Sequence, residues 1–309
     1  YIVRFFILNM PERISFHDQI RNNKIKSFFL IVVIFIFFLI LGAVISFILD
    51  PSYFFVIMIL SIIISILYVI FSYYNSDKIA LASVRAKPAS RTQHREFFHV
   101  TESMSLASGL PMPKLYVMES EQINGFASGR NPENAVICMT TGALKKLDKH
   151  ELEGVIAHEM SHIANYDIRF MTLTAVLVGL ISIAAEIFLR SLWLGGNSSD
   201  NKRGNAILLI IGILFAILAP IAANLVSLAI SRRREFTADA TGVKFTRSPT
   251  GLKSALTKIK HEHLSEQDRR RYPKAVAPLF ISDPFKKKLK GLFSTHPDIS
   301  DRIAILERM

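Results

Sequence analysis

Two long runs without a charged side chain constrain this sequence more than any other feature. They cover residues 28–49 and 53–74, and the pair Asp50-Pro51 breaks the apolar pattern between them. A helix needs roughly 20 apolar residues to cross a bilayer, and each run is long enough. Of the 309 residues 50% are hydrophobic, and they are concentrated in such runs instead of being spread as in a soluble core. The sequence therefore predicts an integral membrane protein with an N-terminal helical hairpin.

The basic residues predict the orientation of this hairpin. They lie before the first run and after the second but are absent from the turn, and they comprise Arg13, Arg21, Lys24, Lys26, Lys78, Arg85, Lys87, Arg91 and Arg95. Because Lys and Arg favour the cytosolic side, both flanks are predicted to be cytosolic. We interpret the net charge of +12 as attraction to anionic lipids, since no nucleic-acid-binding motif accompanies the basic clusters. The single cysteine, Cys138, agrees with a reducing compartment.

The chain is predicted to alternate between apolar and polar segments. The four segments are 1–75 with the first hairpin, a polar part at 76–167, a second apolar hairpin at 168–231 with spans of about 168–189 and 205–230, and a polar, basic part at 232–309. Glu186 interrupts the third run, and we interpret it as lying near the outer interface. Three short apolar runs punctuated by Gly, Pro and Asn predict a small sheet in the first polar part, at 114–118, 125–128 and 135–140.

One motif in the first polar part carries the pattern of a metal site. Asp148 and Glu151 form a capping box that predicts the start of a helix, and His158-Glu159-Met160-Ser161-His162 follows within that helix. Four residues make about one turn, so both imidazoles project from one face and can bind one cation. Glu159 lies beside them, where it can take a proton from water. A catalytic zinc needs a third protein ligand and an open position.

The third ligand is predicted to be Glu235, which directly follows the fourth apolar run. Asp239 lies on the same helical face and can accept a hydrogen bond from a ligand imidazole. From this spacing alone, an ordinary exposed helix with scattered acids is about equally plausible. Topology restricts the assignment, because Glu235 and His162 share one side of the membrane only if both later runs cross it or neither does.

These residues resemble the HtpX-type membrane zinc peptidases, which are relatives of the CAAX prenyl proteases. The resemblance covers nearly the whole chain. Beyond the zinc motif it includes Leu110-Pro111-Met112-Pro113-Lys114, Asn124-Gly125-Phe126-Ala127-Ser128-Gly129-Arg130, Glu151-Leu152-Glu153-Gly154-Val155, His162-Ile163-Ala164-Asn165-Tyr166-Asp167, Arg234-Glu235-Phe236-Thr237-Ala238-Asp239-Ala240 and Ser294-Thr295-His296-Pro297. One departure is Gly125, where the family usually has Ala, and it is expected to loosen that strand.

The resemblance implies roles for particular residues. His158, His162 and Glu235 are implied to be the ligands of one Zn²⁺ per chain, with Glu159 as general base. It also implies a mainly α integral membrane protein with an α+β zincin catalytic domain of the gluzincin type, which carries a small β-sheet. The implied activity is zinc-dependent, ATP-independent endoproteolysis of damaged or misfolded membrane proteins.

Two further sites are predicted with an alternative for each. His296, with Arg302 nearby in sequence, is a candidate donor to the tetrahedral oxyanion, or else a structural histidine at the start of the last helix. The segment Asn124, Gly125, Phe126, Ala127 and Ser128 is expected to present a strand edge to which an extended substrate adds by main-chain hydrogen bonds. Its alternative is an ordinary internal strand.

Taken together, these features predict an endopeptidase of the inner (cytoplasmic) membrane, multi-pass, with its catalytic part in the cytosol. Its expected partners are misfolded membrane proteins or unfolded polypeptides and membrane lipids, but no nucleic acid. A CAAX-type endoprotease of prenylated substrates is an alternative, although that group usually has seven spans and this chain has at most four. A non-catalytic membrane scaffold with structural zinc is another, but a structural site would not need Glu159.

Overall fold

The structure is a computed structural model that describes residues 16–49, 51–195, 232–262, 276, 279–282 and 298–309. Every structural statement below concerns these residues. The expected span at 205–230 lies outside them, and so does His296.

The N-terminal hairpin consists of two long antiparallel helices, α1 (Phe16–Leu49) and α2 (Phe54–Tyr74), joined by a 3₁₀ turn at Pro51–Tyr53. By length and composition, Ile20–Ala43 and Phe54–Tyr74 can each cross a membrane. A membrane protein is therefore confirmed. The helices approach closely at Gly42, where a Cβ would lie 1.9 Å from the hydroxyl of Ser61. Small residues at such a contact are typical of helices that pack in lipid.

The predicted sheet is present and has four strands in the order β1-β2-β4-β3. The strands are β1 (Lys87–Pro88), β2 (Lys114–Met118), β3 (Gly125–Gly129) and β4 (Ala135–Thr140). β2 and β4 are parallel, and the other pairs are antiparallel. The strand β3 is therefore at one edge of the sheet.

Two apolar cores lie on opposite faces of this sheet, because successive strand residues point to opposite sides. Phe126 and Cys138 contact the core that includes Phe37 of α1. Their neighbours Ala127 and Ile137 contact the second core, which belongs to the polar body. The sheet thus separates the membrane-proximal core from the core that surrounds the metal motif.

Eight further α-helices complete the described fold in chain order: α3 (Ser76–Ser83), α4 (Arg95–Ser108), α5 (Thr141–Lys146), α6 (Lys149–Ala164), α7 (Asp167–Gly195), α8 (Arg232–Thr246), α9 (Thr250–His261) and α10 (Ile299–Leu306). The capping box predicted at the start of α6 is observed, with the Asp148 carboxylate accepting from Glu151 N–H and the Glu151 carboxylate from Asp148 N–H. Gly154 lets α9 approach closely, since a Cβ there would lie 2.2 Å from Leu252 N. α6 is therefore enclosed by packed helices.

α6 and α7 meet at a sharp elbow, with an angle of 84° between them. Asn165 ends α6, and Tyr166 adopts a left-handed conformation with φ of 58°. The start of α7 is buried against α1, and Phe170 and Leu173 belong with Leu30 and Ile34 to the membrane-proximal core. Among the described residues, α1 and α2 are each long and apolar enough to cross a membrane, whereas α6 and residues 167–181 are so only together, as a bent pair. A crossing by residues 168–189 therefore stays a prediction.

Candidate metal centre

The two histidines of the motif lie side by side in the interior. His158 and His162 are one turn apart on α6, both are buried, and their Nε2 atoms are 3.2 Å apart. The rings meet edge to face with their centroids 4.8 Å apart. The Nε2 atoms of both histidines therefore face the same point in space, as the spacing predicted.

Glu235 of α8 completes a group of three converging side chains. Its carboxylate oxygens lie 3.5 Å from Nε2 of His158 and 3.7 Å from Nε2 of His162. One ligand atom from each residue lies within 4.8 Å of the others, and all three residues are buried. α8 comes this close to α6 at Gly242, where a Cβ would lie 3.1 Å from His158 N. The structure thus brings together the three predicted ligands, although 77 positions in the sequence separate His158 from Glu235.

The donor set fits a divalent metal ion. Two imidazole nitrogens and one carboxylate oxygen are the ligands that catalytic zinc prefers, with a fourth position left for water. Glu235 Oε2 and Glu159 Oε1 are buried and make no hydrogen bond to the described residues. Buried polar atoms usually have a partner, so this pair of oxygens indicates a cation and a water molecule at the centre.

Each histidine is held from behind by a carboxylate. Nδ1 of His158 donates to Asp239 Oδ1 at 2.9 Å, and Nδ1 of His162 donates to Asp167 Oδ2 at 3.0 Å. Since a carboxylate only accepts, these bonds place the hydrogen on Nδ1 and leave the Nε2 lone pair directed at the centre. Asp239 was predicted in this position from the sequence. Asp167 was missed as a partner, although it lies only five residues beyond His162.

Arg302 of α10 also contacts the metal centre, through Asp239 and Glu235. Its guanidinium donates to both oxygens of Asp239, at 2.9 and 2.6 Å, and lies 3.5 Å from Glu235 Oε2. The side chain is only 1% exposed. In the sequence, Arg302 stands out only for its closeness to His296, because nothing in the pattern of a short amphipathic helix marks a buried arginine.

The buried charges shift the pKa values of the central groups in opposite directions. Burial raises the pKa of Glu159, and the neighbouring histidines only partly offset this. Burial acts the same way on Glu235, but the nearby His158, at 3.5 Å, and the charges of His162 and Arg302 outweigh it and hold its pKa well below the usual range. Burial and Arg302 lower the pKa of His158, yet Asp239 and Glu235 outweigh them and raise it to about 9. The surrounding carboxylates therefore favour positive charge at the centre.

Glu159 lies between the histidines and the edge strand. The backbone N–H of Ala127 in β3 hydrogen-bonds its carboxylate. All residues of β3 pair with β4, but in an antiparallel ladder only alternate residues exchange hydrogen bonds. Because Thr140 N–H donates to Asn124 O and Ile281 N–H to Gly125 O, this alternation turns the backbone groups of Gly125 and Ala127 outward. At Ala127, the outward side of β3 is thus directed at Glu159, the predicted general base.

The edge of β3 is less open than the sequence predicts. All five residues from Gly125 to Gly129 are buried. Ile281 N–H donates to Gly125 O at 3.0 Å, and the Asn124 amide donates to Ser282 O at 2.9 Å. The expectation of an exposed edge is therefore wrong at this end of the strand, because residues 279–282 lie along it. Their contact was not predictable, since about 155 residues separate the partners.

The other residues of the predicted substrate strand have structural contacts. Phe126 meets Phe280 edge to face at 5.4 Å, and the Ser128 hydroxyl lies 3.0 Å from that of Thr172. At Gly125, a Cβ would lie 2.4 Å from Met139 Sδ. The glycine thus makes room for the methionine side chain, which fills the space instead of leaving the strand loose.

A histidine pair and a glutamate that converge beside a buried acid, on a chain with two candidate spans, define the class: a membrane metalloprotease. Comparisons with known proteins agree. The sequence profile described as Peptidase family M48 matches residues 91–309. The chain belongs to this family, and its cofactor is accordingly a metal ion.

Similar proteins cover most of the chain. The "Protease HtpX homolog" of Streptococcus uberis is 39% identical over 301 residues, which is 95% of this chain and 99% of that protein. The one from Thermoanaerobacter pseudethanolicus is 46% identical over 248 residues, or 79% of this chain and 82% of that one. The crystal structure of S. mikatae Ste24p aligns with a TM-score of 0.45 and 19% identity over 92% of this chain. This chain spans only 65% of the length of Ste24p.

Proposed function

We propose that this chain is a zinc-dependent endopeptidase that cleaves misfolded or damaged membrane proteins at the cytosolic face, without ATP. One observation carries the proposal. His158, His162 and Glu235 converge with ligand atoms within 4.8 Å of one another, next to the buried Glu159. We assign the first three as ligands of one zinc ion and Glu159 as the general base. The catalytic part then consists of residues 76–167 and 232–309.

The chain's own residues prepare the site for hydrolysis. Asp239 and Asp167 fix the ring orientation of the two histidines, and Arg302 holds Asp239 in place. Glu159 takes a proton from the attacking water and returns it to the leaving amine. A raised pKa brings this carboxylate closer to the working pH, which favours both halves of the transfer. A bound zinc ion supplies Lewis acidity towards water and the peptide carbonyl.

The substrate is proposed to bind along β3. Ile281 already occupies Gly125 O, so an extended chain would pair with the part of this edge that follows, from Ala127, and would pass beside Glu159. Main-chain pairing is largely independent of sequence, and it requires that the bound segment be unfolded. These two properties suit misfolded proteins as substrates.

The cytosolic orientation is supported by charge and topology. Both ends of the α1–α2 hairpin lie on one side, and the basic residues flank these ends but not the turn at Pro51–Tyr53. The metal centre lies close to the basic end of α1, since Asn23 contacts Asp167. Peptide hydrolysis by water is downhill, so this chemistry needs no nucleotide. With a second hairpin at 168–231, the protein is multi-pass in the inner (cytoplasmic) membrane.

The test is cleavage by the full-length protein in lipid nanodiscs. An unfolded membrane-protein substrate should be cut in the absence of ATP, cleavage should stop with a chelator, and zinc should restore it. Glu159→Gln should still bind one zinc per chain but lose activity by about 10²- to 10⁴-fold. Cleavage that persists in Glu159→Gln would contradict the assigned base. Zinc bound without any cleavage by the parent protein would favour a structural scaffold.

A further inference from the structure

The basic end of α1 reaches the metal centre through one buried polar residue. α1 begins at Phe16, well before its uncharged part, and Asn23 lies on this basic turn. Asn23 is only 6% exposed, although Asn22 and Lys24 on either side are exposed. A buried amide so near a membrane-spanning segment is costly unless its donors and acceptor have partners.

All polar groups of the Asn23 side chain are accounted for. Its amide nitrogen donates to Asp167 Oδ1 at 2.7 Å and to Asn165 O at 3.0 Å. Its oxygen lies 3.4 Å from the guanidinium of Arg234. Both partners of the nitrogen can only accept and the partner of the oxygen can only donate, so the orientation of the amide is fixed by chemistry.

Asp167 connects this amide directly to a proposed metal ligand. One oxygen of the Asp167 carboxylate accepts from Asn23 and, at 2.8 Å, from Nε of Arg234. The other oxygen accepts from Nδ1 of His162 at 3.0 Å. The carboxylate is therefore clamped on one side by α1 and α8 and aligned on the other side with the imidazole.

The same end of α1 also supports the elbow that carries Asp167. Tyr166 has a positive φ, which costs of order 1 kcal/mol or more for a residue with a Cβ. Asn23 bonds the carbonyl of Asn165 directly before it, and the Lys24 ammonium lies 4.5 Å from the centre of the Tyr166 ring. Two successive residues of α1 thus hold two successive residues of the elbow.

From these contacts we infer that Asn23 is a positioning residue for the metal ligand His162, acting through Asp167. The membrane anchor is then part of the metal site and does more than tether the catalytic part. This inference rests on the proposed function, because it takes His162 as a zinc ligand.

The experiment compares two isosteric substitutions at neighbouring positions, in the full-length protein in nanodiscs. Asn23→Asp replaces the donor by an acceptor facing Asp167, whereas Asn22→Asp makes the same charge change on the exposed side. Zinc affinity is measured by competition with a chelator, and the visible spectrum of the cobalt-substituted protein reports the ligand geometry. Asn23→Asp should weaken metal binding about tenfold, the lower end expected for outer partners of ligands, and alter the cobalt spectrum. Asn22→Asp should change neither.

Asn23→Ala against Asn22→Ala repeats the comparison without added charge, in case the aspartate variant does not fold. Thermal unfolding at saturating zinc separates a loss of folding from a loss of metal affinity. Asp167→Asn serves as the reference, because it changes the carboxylate through which Asn23 is proposed to act on His162. If it weakens zinc binding while both Asn23 variants bind zinc like the parent, the inference is overturned and the proposed function stands. If Asp167→Asn also leaves affinity unchanged, Asp167 does not transmit to His162 and the inference fails, while His162 can still be a zinc ligand and the proposed function stands.

Discussion

The hairpin and the metal centre are held together by opposite kinds of contact. α2 turns large apolar side chains outward, with Phe55 76% and Leu67 61% exposed, and its packing on α1 uses small residues such as Gly42 and Ser61. In the metal centre, by contrast, charged side chains are almost completely buried, and each has a directional partner. Apolar packing loses stability gradually as side chains are changed, whereas a buried ionic network loses several contacts when one member is removed. Substitutions should therefore have large, coupled effects at the centre and small, local ones in the hairpin.

The largest loss of stability is expected for Arg302→Ala. It leaves the buried carboxylates of Asp239 and Glu235 without their cation, which typically costs about 3–5 kcal/mol. Denaturant unfolding of the zinc-free protein measures this change, and Arg308→Ala on the exposed C-terminus is the matched control. Equal stability of the two variants would mean that the centre is no more coupled than the surface.

A smaller effect, on metal binding, is expected for Asp239→Asn. The amide keeps the shape of the carboxylate but removes the charge that orients His158, so zinc affinity should fall about 10- to 100-fold. Chelator competition gives the dissociation constant, and Asp301→Asn on the exposed side of α10 provides the control. An unchanged dissociation constant would show that Asp239 does not orient the ligand.

In the hairpin, Gly42→Ala is expected to affect helix packing alone and to leave metal binding unchanged. The added methyl group would lie 1.9 Å from Ser61 Oγ, so the two helices must move apart, at a cost of about 1–3 kcal/mol. Ser61→Gly in the same chain should restore much of this loss, because it removes the opposing atoms. Leu67→Ala on the outer face of α2 should change stability by less than about 0.5 kcal/mol. A loss at Leu67 as large as that at Gly42 would contradict the assigned packing.

The sequence predicted the local features well. The strands at 114–118 and 135–140 have the expected bounds, since Pro113 and Asn134 directly precede them, and the α6 start follows from Asp148 and Glu151. The pairing of His158 with His162 needed only helical periodicity. These features depend on residues a few positions apart, whose relation is set by backbone geometry.

Contacts between distant segments were harder to predict. The resemblance indicated Glu235, whereas spacing alone left it undecided. Asn23 and Asp167 are 144 residues apart in sequence, and their contact depends on how α1 packs against the elbow. Likewise, Ile281 covers Gly125 only because the chain returns to β3 late in the sequence. Such pairs leave no periodic pattern, because tertiary packing alone brings them together.

The burial of the metal centre has a kinetic consequence. With His158 fully buried and Glu235 only 2% exposed, a metal ion and a peptide substrate both reach the centre only while the surrounding segments separate locally. Exchange of the ion is then limited by how often the fold opens locally, and excess chelator in solution cannot accelerate it beyond that frequency. The protein would keep its ion through brief shortages, and it would release it at a rate governed by local opening as well as by binding strength.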